Sequence, residues 1–592
     1  MRSPTTIIPR LGIALLAALP FAPLAAQGPR YERKEFTIPM RDGVRLHTVA
    51  LVPASATPLP ILLVRTPFGA ARELRGPEPP PFFAELAKDG YIFVTQDIRG
   101  RNGSEGEFIT MRPLAGPGGT DESTDAYDTI DWLVAHLPGN NGKVGILGLS
   151  YRGWLAAMAG IHPHPALKAI APLAPMADVW LGDDFFHNGA FRQTQGALYA
   201  GYIEGTGVSL PDEDPYDTFL RFPNLDSLGR AARIDSLPSW RGFRAHPAYD
   251  DYWRSRSLLH AVTTATIPTL VVGGWWDDED MLGAQALYRR LQQSDRKGLV
   301  HLVMGPWSHT AIVRSAGDSL AELPLGSPTA TWYHVAVERP WFAYWLHGRG
   351  TGRFPEARVY ETGADRWHEE AEWPLRRTTE RRLYLGPGGT LQFTHPTATG
   401  AACDAFVSDP AHPVPNAPRE GATDNWHLND QRFLAGRPDV VSWRSAPLTE
   451  DLVVAGDVAA RLFASTTGTD ADWVVKLIDV FPDTRGSTGR ELMVSGEIFR
   501  GRYRQGFDQP RPLVPGRAER YDIDLHQQYY RFRAGHRLMV QVHRSWFPMY
   551  DRNPQTFVPN IFTAPAESFQ SARHCVHRST ELPSHLILPV RP

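Results

Sequence analysis

The chain reads as a mainly parallel α/β sheet, interrupted by a helical insertion and followed by an all-β domain. Three observations predict this. Short β-branched runs alternate with helix-length segments up to about residue 351. Between about 177 and 261 the alternation stops, and a stretch rich in aromatics, Asp and Arg takes its place. After about 352, Pro and Gly punctuate short alternating segments with no competing helical period, the texture of a sandwich or jelly roll. At 592 residues the chain is too long for one core of ordinary size.

The elements follow in order. Lys34 to Pro39 leads into a turn at Arg41-Asp42-Gly43, and Val44 to Val52 returns, so residues 31–52 form a hairpin. The strand runs are Ile61 to Val64, Tyr91 to Val94, Val144 to Leu147, Leu167 to Ala171, Thr269 to Val272 and Leu299 to Val303. Glu122 to Leu137 predicts an amphipathic helix with Tyr127, Ile130, Val134 and Leu137 on one face and acids in its first turns. The organisation expected is an α/β unit over 31–176 and 262–351, a helical cap over 177–261 and a β unit over 352–592. In the last unit the runs are Arg382 to Leu385, Leu452 to Val454, Ala459 to Ala464, Trp473 to Phe481, Leu492 to Arg500 and Leu538 to His543.

Residues 1–26 have the form of an export signal. Arg2 and Arg10 carry positive charge, Leu11 to Leu19 is apolar, and cleavage is expected near Ala26. The competing reading is a membrane anchor, for which the apolar run is short. No Cys follows to carry a lipid. A periplasmic or secreted protein is therefore expected, with no membrane contact after processing. The two cysteines, Cys403 and Cys575, could pair in an oxidising compartment or remain two buried thiols. Neither has zinc-ligand spacing, and no metal or cofactor is expected. Charged residues make up 21% and the formal net charge is −3, so no basic footprint suggests a nucleic-acid partner.

The chemistry concentrates in three segments. Lys143 to Leu149 is an apolar strand, Ser150 stands at its end, and Tyr151-Arg-Gly-Trp-Leu-Ala-Ala opens a helix. This is a nucleophile elbow, with Gly148 and Gly153 allowing close backbone approach; Arg152 stands where the usual pattern has Gly. A serine hydroxyl needs a base, and the base needs an orienting acid. Leu270 to Trp276 delivers Asp277 just past the next strand end, and Leu299 to Ser308 delivers His309 past the one after. The order Ser, acid, His is that of the α/β-hydrolase fold, where strand ends gather in one crevice. The backbone N–H of Tyr151 is the expected oxyanion donor. Asp277 to Asp280 form four adjacent acids that repel unless a cation neutralises some of them. A primary ammonium ligand, a helix start and a metal are the readings open for that cluster.

These motifs carry a family resemblance. Gly148-Leu-Ser-Tyr-Arg-Gly153, Gly274-Trp-Trp-Asp-Asp-Glu-Asp280 and Met304-Gly-Pro-Trp-Ser-His309 resemble the α-amino acid ester hydrolases, which belong with cocaine esterase and the X-prolyl dipeptidyl peptidases. Gln96 to Gly106 and Gly182 to Arg192 extend the resemblance over nearly the whole mature chain. It implies an α/β-hydrolase domain with a helical cap and a jelly roll, an acyl-serine and a homotetramer. It further implies an ammonium site at Asp184, Glu279 and Asp280, and small ester or amide substrates with a free α-amino group, β-lactams among them. One departure stands out. The family's second oxyanion donor is a Tyr hydroxyl, and the matching run Val64-Arg-Thr-Pro-Phe68 ends in Phe.

Three functions compete. The first is an exported α-amino acid ester hydrolase. The second is a related carboxylesterase or X-prolyl dipeptidyl peptidase without ammonium selectivity. The third is a surface-binding protein whose hydrolase domain has lost activity, motivated by Phe68 and the β domain.

Overall fold

The computed structural model describes residues 30–592, apart from 206, 212–213, 401, 424 and 485–486. The expected export signal lies outside the described residues. The hairpin forms strands β1 (Tyr31–Pro39) and β2 (Arg45–Pro53), paired antiparallel around Gly43 at φ 86°. The β-branched runs become β3 (Leu59–Thr66), β4 (Ile92–Asp97), β5 (Asn140–Ser150), β6 (Leu167–Pro175), β7 (Thr269–Gly274) and β8 (Val300–Gly305). With β9 (Ala357–Glu361) and β10 (Arg366–Glu370) they make one sheet ordered β1-β2-β4-β3-β5-β6-β7-β8-β9-β10. From β4 to β9 every neighbour pair is parallel. Their apolar runs suit strands covered on both faces. The sheet thus runs on past residue 352: β9 lies in the Pro- and Gly-punctuated stretch but pairs with β8.

Helix α1 (Glu122–His136) starts at Asp121, whose carboxylate accepts the N–H groups of Ser123 and Thr124. Its buried face is rotated from the one expected. Ile130 and Leu137 are buried, but Tyr127 and Val134 are only half-buried, and Glu122, Asp125, Ala126 and Leu133 turn inward. The acids are buried because arginines meet them. Arg65 on β3 reaches Glu122 at 2.9 Å, and Arg99 reaches Asp125 at 2.6 Å. Helix α2 (Tyr151–Ala159) follows β5 and is buried along almost its whole length.

Residues 177–261 carry α3 (Gln193–Tyr199), α4 (Pro215–Leu220), α5 (Leu225–Ala232) and α6 (Pro238–Ala245), with a two-residue hairpin at Phe186–His187 and Ala190–Phe191. Helix α7 (Gly283–Gln292) then leads from the acidic segment to β8.

The C-terminal domain is all-β, with two antiparallel sheets. One contains β11 (Thr379–Leu385), β12 (Leu391–Gln392), β13 (Cys403–Ser408), β15 (Leu452–Thr466), β18 (Glu519–Phe532), β20 (Ala572–His577) and β21 (His585–Val590). The other is ordered β14 (Val440–Arg444), β19 (Arg537–His543), β16 (Asp472–Val480) and β17 (Glu491–Arg500). The two runs expected at 452–454 and 459–464 are one strand, β15, broken by an irregularity between Asp457 and Ala459.

Cys403 and Cys575 are joined as a disulfide between neighbouring strands β13 and β20. Among the described residues they and His577 form one grouping of potential metal ligands, but both sulfurs are in the disulfide. No described helix is long and apolar enough to cross a membrane. A single buried cluster runs from Trp154 through Phe191 in the cap to Trp276 and Trp473, so the cap and β domain pack directly over the strand ends.

Candidate active site

Ser150 sits where β5 turns into α2, at φ 65° and ψ −126°. Few non-glycine residues adopt such a backbone, which costs about 1–3 kcal/mol and persists only where the surroundings impose it. The imposition is visible. A Cβ on Gly148 would stand 2.6 Å from the Arg152 carbonyl oxygen, and one on Gly153 would stand 2.5 Å from that of Leu173. Strand and helix therefore close tightly around the turn and push Ser150 outward, to a half-buried position.

Asp277 follows β7 and His309 follows β8, both at the C-terminal edge of the parallel sheet. His309 Nδ1 lies 3.0 Å from Asp277 Oδ1 and 3.2 Å from Oδ2. Asp277 Oδ1 also accepts the N–H groups of Glu279 at 3.0 Å and Asp280 at 2.9 Å. Both side chains are buried. Burial works against the charge on Asp277, but His309 and those two N–H groups outweigh it and hold its pKa down. Burial likewise disfavours the imidazolium, yet Asp277, Glu279 and Asp278 push His309 up to about 10. The other ring nitrogen, Nε2, lies 3.4 Å from Glu279 Oε2.

The acidic cluster assembles from two distant segments. Asp184, in the cap, and Asp280 are both buried, and Glu279 is half-buried. Gln195 donates to Asp184 Oδ1 at 2.9 Å, while Asp184 Oδ2 and both Asp280 oxygens have no hydrogen-bond donor among the described residues. Burial, with Asp184, Asp183 and Asp277 close by, pushes Asp280 well above the carboxylate range. Asp278 points elsewhere, accepting the His309 N–H at 3.2 Å, and is pushed up to about 6 by burial and its acidic neighbours.

Tyr151 is the first residue of α2, so its N–H has no acceptor within the helix. Its hydroxyl is turned away and accepts the Met111 N–H at 2.9 Å. Phe68 is half-buried, its N–H donates to Thr66 Oγ1 at 3.1 Å, and the Arg152 guanidinium lies 5.4 Å from its ring. Arg152 is held there by Glu73 at 3.0 Å.

Sequence reading missed three supports. Arg192 donates to the carbonyls of Asp278 at 2.8 Å and Glu279 at 2.9 Å, pinning the acidic loop to the cap. From the β domain, Asn425 donates to the Trp276 carbonyl at 2.9 Å. Asp183 accepts backbone N–H groups from both segments. The Gly182 to Arg192 stretch gave a hint of Asp183 and Arg192, but nothing local marks Asn425, because its partner is 149 residues away.

Residues 42–311 match the X-Pro dipeptidyl-peptidase (S15) family, and 349–587 match the X-Pro dipeptidyl-peptidase C-terminal non-catalytic domain. Cocaine esterase from Rhodococcus sp. (strain MB1 Bresler) is 33% identical over 93% of this chain and 97% of its own. The structure is similar to a crystal structure of an aminopeptidase from the marine sediment archaeon Thaumarchaeota archaeon. That match has a TM-score of 0.92 and 42% identity, over 97% of this chain and 98% of the other. It is also similar to a selenomethionine-labelled α-amino acid ester hydrolase, with a TM-score of 0.91 and 40% identity over the same shares. A strained serine at a parallel strand end, a paired Asp and His at the next ones, and likeness along nearly the whole chain lead to one conclusion: this protein belongs to the S15 X-Pro dipeptidyl-peptidase family and is a serine hydrolase.

Proposed function

We propose that this protein hydrolyses esters and amides whose acyl group carries a free α-amino group, through an acyl-serine. The observation that carries this reading is the buried, unsatisfied acid pair. Among the described residues, three carboxyl oxygens of Asp184 and Asp280 receive no donor from any other group, and the raised Asp280 can satisfy the pair only by sharing its own proton with Asp184. Leaving such groups unpaired costs about 1–3 kcal/mol each or more. A primary ammonium brings three donors and a positive charge to that spot. Glu279 provides a third carboxylate at its edge. The likeness to an α-amino acid ester hydrolase and to an aminopeptidase supports the same substrate class.

In this reading His309 Nε2 takes the Ser150 proton as Oγ attacks the carbonyl carbon. The Nδ1–H bond to Asp277 orients the ring and stabilises the imidazolium. The Tyr151 N–H receives the developing oxyanion. The imidazolium then protonates the departing oxygen or nitrogen, and water repeats the sequence to release the acid. The free acids around His309 favour its protonated form, which cannot act as base. A bound ammonium offsets their charge and lowers that pKa, so the correct substrate also prepares the base.

The test compares phenylglycine methyl ester with phenylacetic acid methyl ester. A strong preference for the amino ester, lost in Asp184→Asn, supports the reading. Equal rates leave the esterase reading without ammonium selectivity. Failure of Ser150 to label with a fluorophosphonate would favour the inactive, surface-binding alternative. Amino-acyl β-lactams fall within the same proposed class.

Export and homo-oligomerisation are part of the proposal. The disulfide supports an oxidising compartment. Leu198 and Tyr202, 44% and 68% exposed and four residues apart on the cap, offer an apolar contact for a second copy. N-terminal sequencing of the protein from its native host and light scattering test the two points.

A further inference from the structure

Beyond Glu279 the site opens into a groove of about 400 Å³, walled by the cap, the acidic loop and the β domain. That volume suits a ligand fragment of ring size or larger. Its walls are held in place without a ligand. The Tyr216 hydroxyl donates to the Pro413 carbonyl at 2.7 Å, and its ring meets Phe547 edge-on with centroids 5.1 Å apart. Arg419 lies 4.8 Å from the same ring and is tied to Asp214 at 2.7 Å. Trp426 packs edge-on against Trp546 at 4.8 Å. Arg192 fixes the threshold through the carbonyls of Asp278 and Glu279.

We propose that this groove is the leaving-group subsite and that it selects bulky aromatic or apolar alcohols and amines. The inference rests on the assignment of His309 as general acid. A general acid must hand its proton from Nε2 to the departing atom, so that atom lies within hydrogen-bond reach of Nε2. Glu279 Oε2 stands 3.4 Å from that nitrogen, and Glu279 also lines the groove. A group leaving from Nε2 therefore passes over Glu279 into the groove. The α-amino end of the acyl group belongs at Asp184 and Asp280, which do not line the groove, while Glu279 stands at the boundary and Gln195 of the groove wall holds Asp184 at 2.9 Å. The groove's far wall is aromatic, formed by Tyr216, Trp426 and Phe547, and so favours rings over small alkyl groups.

The experiment measures kcat/KM for phenylglycine benzyl ester, phenylglycine methyl ester, alanine methyl ester and phenylacetic acid methyl ester. Wild type is compared with Tyr216→Ala, which removes a wall, and Thr194→Trp, which fills the groove. Thermal unfolding and fluorophosphonate labelling report that each variant is folded and competent. The benzyl-to-methyl ratio should fall at least fivefold in both variants, while the phenylglycine-to-alanine ratio stays within twofold of wild type. A benzyl-to-methyl ratio unmoved in both variants overturns the proposal. So does a shift in the phenylglycine-to-alanine ratio instead, which would make the groove an acyl subsite. Loss of preference for phenylglycine over phenylacetic methyl ester in wild type would remove the ammonium site, and the leaving-group ratio would still be read independently.

Discussion

The carboxylate of Asp183 accepts the backbone N–H of Gly283 at 2.9 Å, tying the start of the cap to the first residue of α7. The same oxygen accepts Leu282 N–H at 3.0 Å, and the other accepts Ala177 and Asp178 N–H, each at 2.8 Å. Asp183 is fully buried and adjoins Asp184, while Leu282 lies two residues beyond Asp280. One side chain thus sets the separation of the two buried acids proposed to hold the ammonium. In Asp183→Asn the amide nitrogen faces N–H donors it cannot accept from. The expected loss is about 2–4 kcal/mol of stability, from two orphaned buried donors. KM for an amino ester should rise more than tenfold, with a smaller change in kcat. Denaturant unfolding and steady-state kinetics check both.

Glu279→Gln tests how the acids set the base. Asp277, Glu279 and Asp278 raise the His309 pKa against the effect of burial. The base works only when unprotonated, so activity rises as pH climbs through that pKa. Removing a negative charge 3.4 Å from Nε2 destabilises the imidazolium and lowers the pKa. The acidic limb of kcat/KM for phenylacetic acid methyl ester should therefore move to lower pH by about a unit or more, equivalent to ~1.4 kcal/mol. The same variant should lose rate on the amino ester. A limb that stays in place or moves to higher pH contradicts the assignment.

Ser150, the proposed nucleophile, also carries backbone strain. Ser150→Ala should abolish fluorophosphonate labelling and lower kcat by about 10⁶-fold, the scale of losing a serine nucleophile. Ser150→Gly should be as inactive yet more stable by about 1 kcal/mol or more, because glycine adopts φ 65° without strain. The midpoints of denaturant unfolding decide this.

Phe68→Tyr restores the hydroxyl that the resemblance expects at this position. If that phenol reaches the oxyanion, kcat should rise at least tenfold, toward the ~10²–10³-fold value of one donor. Rapid-quench kinetics of acylation would show the gain directly.

Reduction of Cys403–Cys575 should destabilise the β domain by about 2–4 kcal/mol, the usual worth of a native disulfide. Activity at 25 °C should persist, since the bond joins β13 and β20 and no site residue lies on either strand. Calorimetry with and without reductant separates the two effects.

Much of this was legible along the chain. The elbow is local: an apolar strand, Ser150, two glycines and a helix-forming run all lie between Lys143 and Ala157, so spacing alone exposes it. Asp277 and His309 could be named because each directly follows a strand-like run, and parallel strands deliver their ends to one edge. The inward face of α1 was misread because Glu122 and Asp125 count as polar until Arg65 arrives from β3 and Arg99 from the turn after β4. Likewise β9 and β10 read as part of the β domain because local texture says nothing about which sheet a strand pairs with.

The sequence by itself determined the alternation of strands and helices, the elbow and the order of its catalytic candidates, because these depend on periodicity and on neighbours a few residues apart. Only the tertiary structure decided that Asp184 meets Asp280 with three of their four oxygens facing no donor from another described group, and that Glu279 stands between His309 and an aromatic groove. It also decided that Arg192, Asp183 and Asn425 hold the acidic loop in place. These are contacts between segments tens to hundreds of residues apart. Burial and desolvation, which give such contacts their energy, exist only once the chain has closed around them.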